Sequence, residues 1–206
     1  MGVVFSIVFA FITVLVWQNY NNVSDAVNKE AGHLNNMYRL YSAFPPEEAK
    51  SGKESLRAYT KIVIEDEWPL LKKDQFSTEA YKKLLSIEEK MIQYQPQNIS
   101  QSNAHQHMLR LMTEYTELRR SRIYSAQFAL AHPAWIGLIS SSFIFLFFSC
   151  LFKMQSTRTH LILIAFLGLT IVGVVYFLAL YIHPFLGPMA IGPEPFQKLL
   201  TFAWTF

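Results

Sequence analysis

Three long stretches without a charged residue predict an all-α integral membrane protein, with three transmembrane helices and a cytoplasmic helical bundle. They are residues 1–17, 133–152 and 160–182. At about 1.5 Å rise per residue, the first reaches the roughly 30 Å of a hydrocarbon core once it extends through Gln18, Asn19 and Tyr20. The second observation is the polar block between them, where apolar residues recur at three- and four-residue steps, the period of amphipathic helices. The third is composition: 51% hydrophobic residues and a formal net charge of only +3. Without a basic run or arm, that balance gives no reason to expect nucleic acid as a partner.

The expected organisation follows. Residues 1–20 form a first transmembrane helix that continues into a cytoplasmic stalk, and 21–132 form the cytoplasmic helical region. Residues 133–152 and 160–182 are the second and third spans, and 183–206 a cytoplasmic tail. The first stretch lacks the charged start and Ala-x-Ala exit of a secretory signal, and it ends in Trp17 and Tyr20, suited to an interfacial belt. Lys29, Arg119, Arg120, Arg122 and Lys198 lie on the side of the central block, against Lys153 and Arg158 on the other. The positive-inside rule then sets the N-terminus outside and the C-terminus in the cytoplasm.

Beyond Tyr20 the apolar period changes without a break. Val23, Val27, Leu34, Met37 and Tyr41 continue one helix to Phe44-Pro45-Pro46, where a residue before proline leaves helical geometry. Such a rod of about forty residues would reach roughly 30 Å past the bilayer. Glu30 sits in phase with that stripe, and a buried carboxylate needs a partner. The expectation is a structural ion pair with Arg39 or Arg57; the alternative is a direct functional role.

Pro46-Glu47-Glu48 starts a second helix, with proline and acids at its amino end, buried through Leu56, Tyr59, Ile62 and Val63 and ending at Glu65-Asp66-Glu67-Trp68-Pro69. Acids at a carboxyl end oppose the helix dipole. A solvated cluster offset by Lys72 and Lys73 is expected of Glu65, Asp66 and Glu67; a bound cation or basic partner chain is the alternative. Ser77 or Thr78 caps a third helix to about Tyr94, burying Leu84, Leu85, Ile87 and Met91. A fourth runs from about Ser102 to Leu130 on Met108, Leu111, Met112, Tyr115, Leu118 and Arg122. His105 and His107 on it point to nearly opposite sides, which suits neither a metal pair nor a catalytic dyad.

The second and third spans are joined by a short loop and form a helical hairpin. Cys150, the lone cysteine, lies in an apolar span and reads as a packing residue, with no disulfide framework and no Cys-based metal site. The tail from His183 is a Pro/Gly-rich turn followed by a short helix. There is no phosphate loop, no G-x-S-x-G, no H-E-x-x-H and no charge within a span. No catalytic residue, cofactor or enzymatic activity is therefore expected.

Trp17-Gln18-Asn19-Tyr20, Glu30-Ala31, Tyr38-Arg39, Glu65-Asp66-Glu67-Trp68-Pro69, Pro184-Phe185-x-Gly187 and Pro193-x-Pro195-Phe196 resemble, in order and spacing, the bestrophin-like domain proteins of bacteria. That family is similar in layout to the bestrophins, pentameric chloride channels with four spans and a helical cytoplasmic part. The resemblance implies a homo-oligomer in the bacterial inner membrane, with lipids and small anions such as chloride as partners. It also implies that the first helix lines an axial pore. The matching constriction would be Val3, Ile7 and Phe11, four apart, whose rings would gate by dewetting. The same stripe could instead pack on helices or face lipid. Gly2, Ser6, Ala10 and Thr13 form a small, weakly polar face suited to helix packing. Two departures are noted: the chain starts where the family's second helix does, and Ile182 stands where many relatives carry an acid.

Overall fold

Helices form where the apolar period predicts them, and prolines and a capping hydroxyl set their ends. The computed structural model describes residues 2–126, 132–152 and 155–204. Every element among them is helical. Helix α1 is Gly2–Leu40, closed by a tight 3₁₀ turn at Tyr41–Ala43; Phe44 is extended before Pro45. Helix α2 (Pro46–Ile62) has Pro46 in its first turn. Helix α4 (Thr78–Gln93) is capped by Ser77, whose Oγ accepts from the Ala80 amide at 3.0 Å. Helices α5 (Ile99–Ala126), α6 (His132–Cys150) and α7 (Thr157–Tyr181) follow.

The fourth helix starts at Ile99, ahead of the expected Ser102, and its expected end at Leu130 lies outside the described residues; a second boundary differs more. The second helix does not stop at the acids but widens into a π turn at Val63–Glu67 and runs on into α3 (Trp68–Leu71). The Trp68 amide bonds Val63 O, five residues back. A second π turn, Leu199–Ala203, follows α8 (Glu194–Lys198), and there the Trp204 amide bonds Leu199 O at 3.0 Å. Each wide turn delivers a buried tryptophan. Trp68 packs edge-on against Phe196 and donates Nε1–H to Ile191 O at 3.2 Å. Trp204 stacks on Tyr38 at 4.6 Å between ring centres and donates to Asn35 Oδ1 at 3.2 Å. Ile191, Phe196 and Trp204 are thereby bound to α1 and α3 by aromatic faces and indole hydrogen bonds. Gly187 takes a φ of 84°, a left-handed conformation that glycine adopts without strain, in the turn before it.

The chain divides into two compact units. Unit one is Met1–Asn21 with Phe128–Met189, and unit two is Asn22–Gln127 with Ala190–Phe206. In unit one, Val16 of α1, Leu138 of α6 and Leu178 of α7 close on Ile182, with Phe9, Ile12 and Trp135 packed alongside. Most other large apolar side chains of α6 and α7 point outward, including Phe143, Phe147, Phe166 and Leu169. Among the described residues, α7 alone is both long and apolar enough to cross a membrane, with 11% of its most apolar window buried; Trp135–Cys150 is a shorter apolar helix. At 25 residues α7 is about 37 Å long, beyond the roughly 30 Å required. Hydroxyls here bond within their own helix: Thr13 to Phe9 O, Ser142 to Leu138 O, Ser149 to Phe145 O and Thr170 to Phe166 O, at 2.7–2.9 Å. That habit suits surroundings without water.

In unit two, α2 packs on α4 and α4 on α5. Leu56, Tyr59, Val63, Leu84, Ile87, Met91, Met108, Leu111, Met112 and Tyr115 form the core, joined by Leu34 and Met37 of α1. Leu85, expected inside, is exposed on the outer side of α4.

Candidate functional site

Two arrangements stand out, one in each unit. The first is a face of α1. Val3, Ile7 and Phe11 are 74%, 63% and 65% exposed. At about 100° per residue they centre opposite Phe9, Ile12 and Val16, the face that packs on α6 and α7. The packing side of this helix is thus large and apolar. Of the small face expected to pack, Ser6 and Ala10 are exposed and Thr13 is half-buried, while the burial of Gly2 lies outside what is described. In a single chain, Val3, Ile7 and Phe11 are left available to something outside it.

The second is a buried charge network in unit two. Glu30, Glu67, Arg119 and Arg122 are all buried. Arg122 donates through Nε to both Glu30 oxygens, at 2.9 and 3.1 Å, and through Nη2 to Glu67 Oε1 at 2.7 Å. Arg119 Nε donates to the same Oε1 at 3.1 Å, and its Nη2 to Oε2. Two carboxylates and two guanidiniums cancel, the condition for holding charge in a core. Arg122 Nη1 has no hydrogen-bond partner among the described residues; the guanidinium instead lies 4.8 Å from the Trp68 ring centre and 6.0 Å from that of Phe196. Beside it, the buried hydroxyls of Tyr59 and Tyr115 share a 2.6 Å hydrogen bond.

The two carboxylates are held differently. Burial pushes Glu30 above its ordinary pKa, and Arg122 only partly offsets it. Burial also acts on Glu67, but two guanidiniums outweigh it and hold that carboxyl below its ordinary value. Arg122 is raised further by Glu30 and Glu67 despite its burial, so it stays charged. Burial likewise raises Tyr59 and Tyr115, so both remain neutral phenols.

Glu30 is paired, as its place in the stripe required, but not with Arg39 or Arg57. Arg39 is exposed, and Arg57 lies over the Tyr38 ring at 5.5 Å. The partner is 92 positions away in sequence, where no local spacing could identify it. The one available signal was Arg122 itself, in register with the buried stripe of α5.

The acidic cluster is also redistributed. Glu65 is exposed, Asp66 accepts from the Ser77 hydroxyl, and Glu67 enters the charge network. The three acids therefore do not converge on one solvated or cation-binding point. Arg119 and Arg122 are buried members of the network, so their place in the sequence ahead of α6 has a cause other than membrane topology. His105 packs against Tyr94 with its Nε2 2.7 Å from Met91 O, and His107 Nδ1 lies 2.8 Å from Arg110 Nη2.

The sequence profile of the Bestrophin-like domain matches residues 1–196. The chain belongs to the Bestrophin-like domain family. The match takes in the α1 stripe and all four charges of the network. Neither curated proteins nor solved structures give a match.

Proposed function

We propose that the chain is a homo-oligomeric ion channel of the bacterial inner membrane, whose copies surround an axis lined by Val3, Ile7 and Phe11. The observation that carries this reading is the position of those side chains. They lie exposed on the side of α1 turned away from its packing partners in unit one. Rings of apolar side chains around such an axis would form a constriction that gates by dewetting. Membership of the Bestrophin-like domain family supports a channel relation. A pentamer passing small anions such as chloride follows the bestrophin layout that the family resembles. In this reading α1, α6 and α7 all span, unit two is cytoplasmic, lipid covers the outward faces of α6 and α7, and no enzymatic step is involved.

Purified protein in planar bilayers should carry a chloride current, and Phe11→Ala should raise the open conductance. Absence of current for every small anion across a range of voltages would contradict the proposal. The competing reading is a non-conducting module whose unit two binds a partner. It is favoured by exposed apolar side chains there, Ile92 and Ile99 among them. Mass measurement of the detergent-solubilised particle separates the two, since a monomer or dimer has no axial passage.

A further inference from the structure

Unit two holds a cleft of about 380 Å³ that neither the α1 stripe nor the charge network uses. It opens between α2, α4 and α5, near the lower end of the roughly 300–1,000 Å³ of small-ligand sites. One wall is a continuous run of rings. Tyr41 and Phe44 are 5.7 Å apart between centres, Phe44 and Tyr94 4.8 Å, and Tyr94 and His105 5.7 Å.

These rings are fixed from behind. Tyr41 lies so close on α2 that a Cβ at Gly52 would come within 2.1 Å of its ring, so a larger residue there would displace this wall. The Tyr94 hydroxyl donates to Gln101 Oε1 at 3.0 Å, and the Gln97 amide holds the same oxygen at 2.9 Å. Buried Met91 and Met108 line the apolar interior.

The lip is acidic. Glu47 and Glu48 stand in the first turn of α2, both exposed, and neither forms an ion pair among the described residues. Lys90 is the one permanent cation lining the cleft. The Glu48 charge is felt at Tyr94, whose phenol is raised first by burial and then by that carboxylate. Ring faces carry negative potential, so walls and lip attract the same sign of charge, while an anion would meet two carboxylates at the entrance.

We propose that this cleft binds an organic cation with a small apolar body, its ammonium held between the Tyr94 ring and Glu48 and its apolar part against Phe44, Met91 and Met108. The ligand class is an aryl- or alkylamine. The inference is independent of conduction.

The test is calorimetric titration of the full chain in detergent with 2-phenylethylamine. The comparison ligands are 2-phenylethanol, which lacks the charge, and phenylacetate, which reverses it. The amine should bind saturably, one per chain, at least tenfold more tightly than either. The double variant Glu47→Gln/Glu48→Gln should weaken the amine at least tenfold while lowering the thermal midpoint only slightly, since both side chains are exposed and lose only their interaction with the helix dipole. Ser51→Tyr, which fills the cleft from its rim, should abolish binding. No saturable binding of the amine would overturn the proposal, as would phenylacetate binding equally well. So would amine affinity within threefold of wild type in the double variant.

Discussion

The two units treat water in opposite ways. Unit one leaves Phe143, Phe147, Phe166, Leu169, Val3, Ile7 and Phe11 outside. Unit two brings Glu30, Glu67, Arg119 and Arg122 into its core and cancels their charge there. Each large apolar side chain kept in water forgoes about 1.5–3 kcal/mol, so a surface of this composition fits lipid far better than water. A buried carboxylate is tolerable only with a fixed partner, so unit two depends on geometry that unit one does not need. The lesson is that one unit is specified by the solvent it faces and the other by partners it must find within itself.

The sharpest way to break that contrast is Arg122→Met. It strands Glu30 and leaves Glu67 with Arg119 alone, and should cost about 3–5 kcal/mol, read as a large fall in the thermal midpoint of the detergent-solubilised protein. The carboxylates refine it. Glu67, held below its ordinary pKa, supplies stability that is fully present above the reference value of 4.5 and is lost as pH falls through its folded value. Glu30, pushed up by burial, has the opposite sign: its contribution is present below 4.5 and lost as pH rises through its folded value. At pH 7, therefore, Glu67→Gln should destabilise more than Glu30→Gln, and the deficit of Glu67→Gln should shrink as the pH is lowered past 4.5. Denaturation at several pH values measures both.

Smaller effects lie outside the network. Ser77→Ala removes the cap of α4 and the hydroxyl that Asp66 accepts, and should cost about 1 kcal/mol in the same assay. Phe11→Ala should change stability by less than about 0.5 kcal/mol, because that side chain is largely exposed. A loss comparable to Arg122→Met would mean that α1 uses this face for internal packing after all.

Much of the fold was legible. The stop of α1 before Pro45, the start of α2 at Pro46 and the Ser77 cap follow from proline geometry and capping, which are local effects. Glu30 announced a buried pair because its register put it inside. The identity of its partner was hidden because that pairing is tertiary. The acidic cluster misled for a different reason: reading by a 3.6-residue period assumes an α-helix, whereas the π turn adds a residue and turns Glu67 and Trp68 inward together. The cleft was invisible because its rings come from α5, the residue after α4 and the turn after α1, brought together only by packing.

The claim on which the functional reading turns is the direction of the α1 stripe. Ile7→Cys in a Cys150→Ser background, reconstituted in planar bilayers, should lose its chloride current when a water-soluble thiol reagent is added. Phe143→Cys on α6 in the same background should keep its current. A current that persists after complete modification at position 7 would place the stripe away from the conducting path and contradict the account.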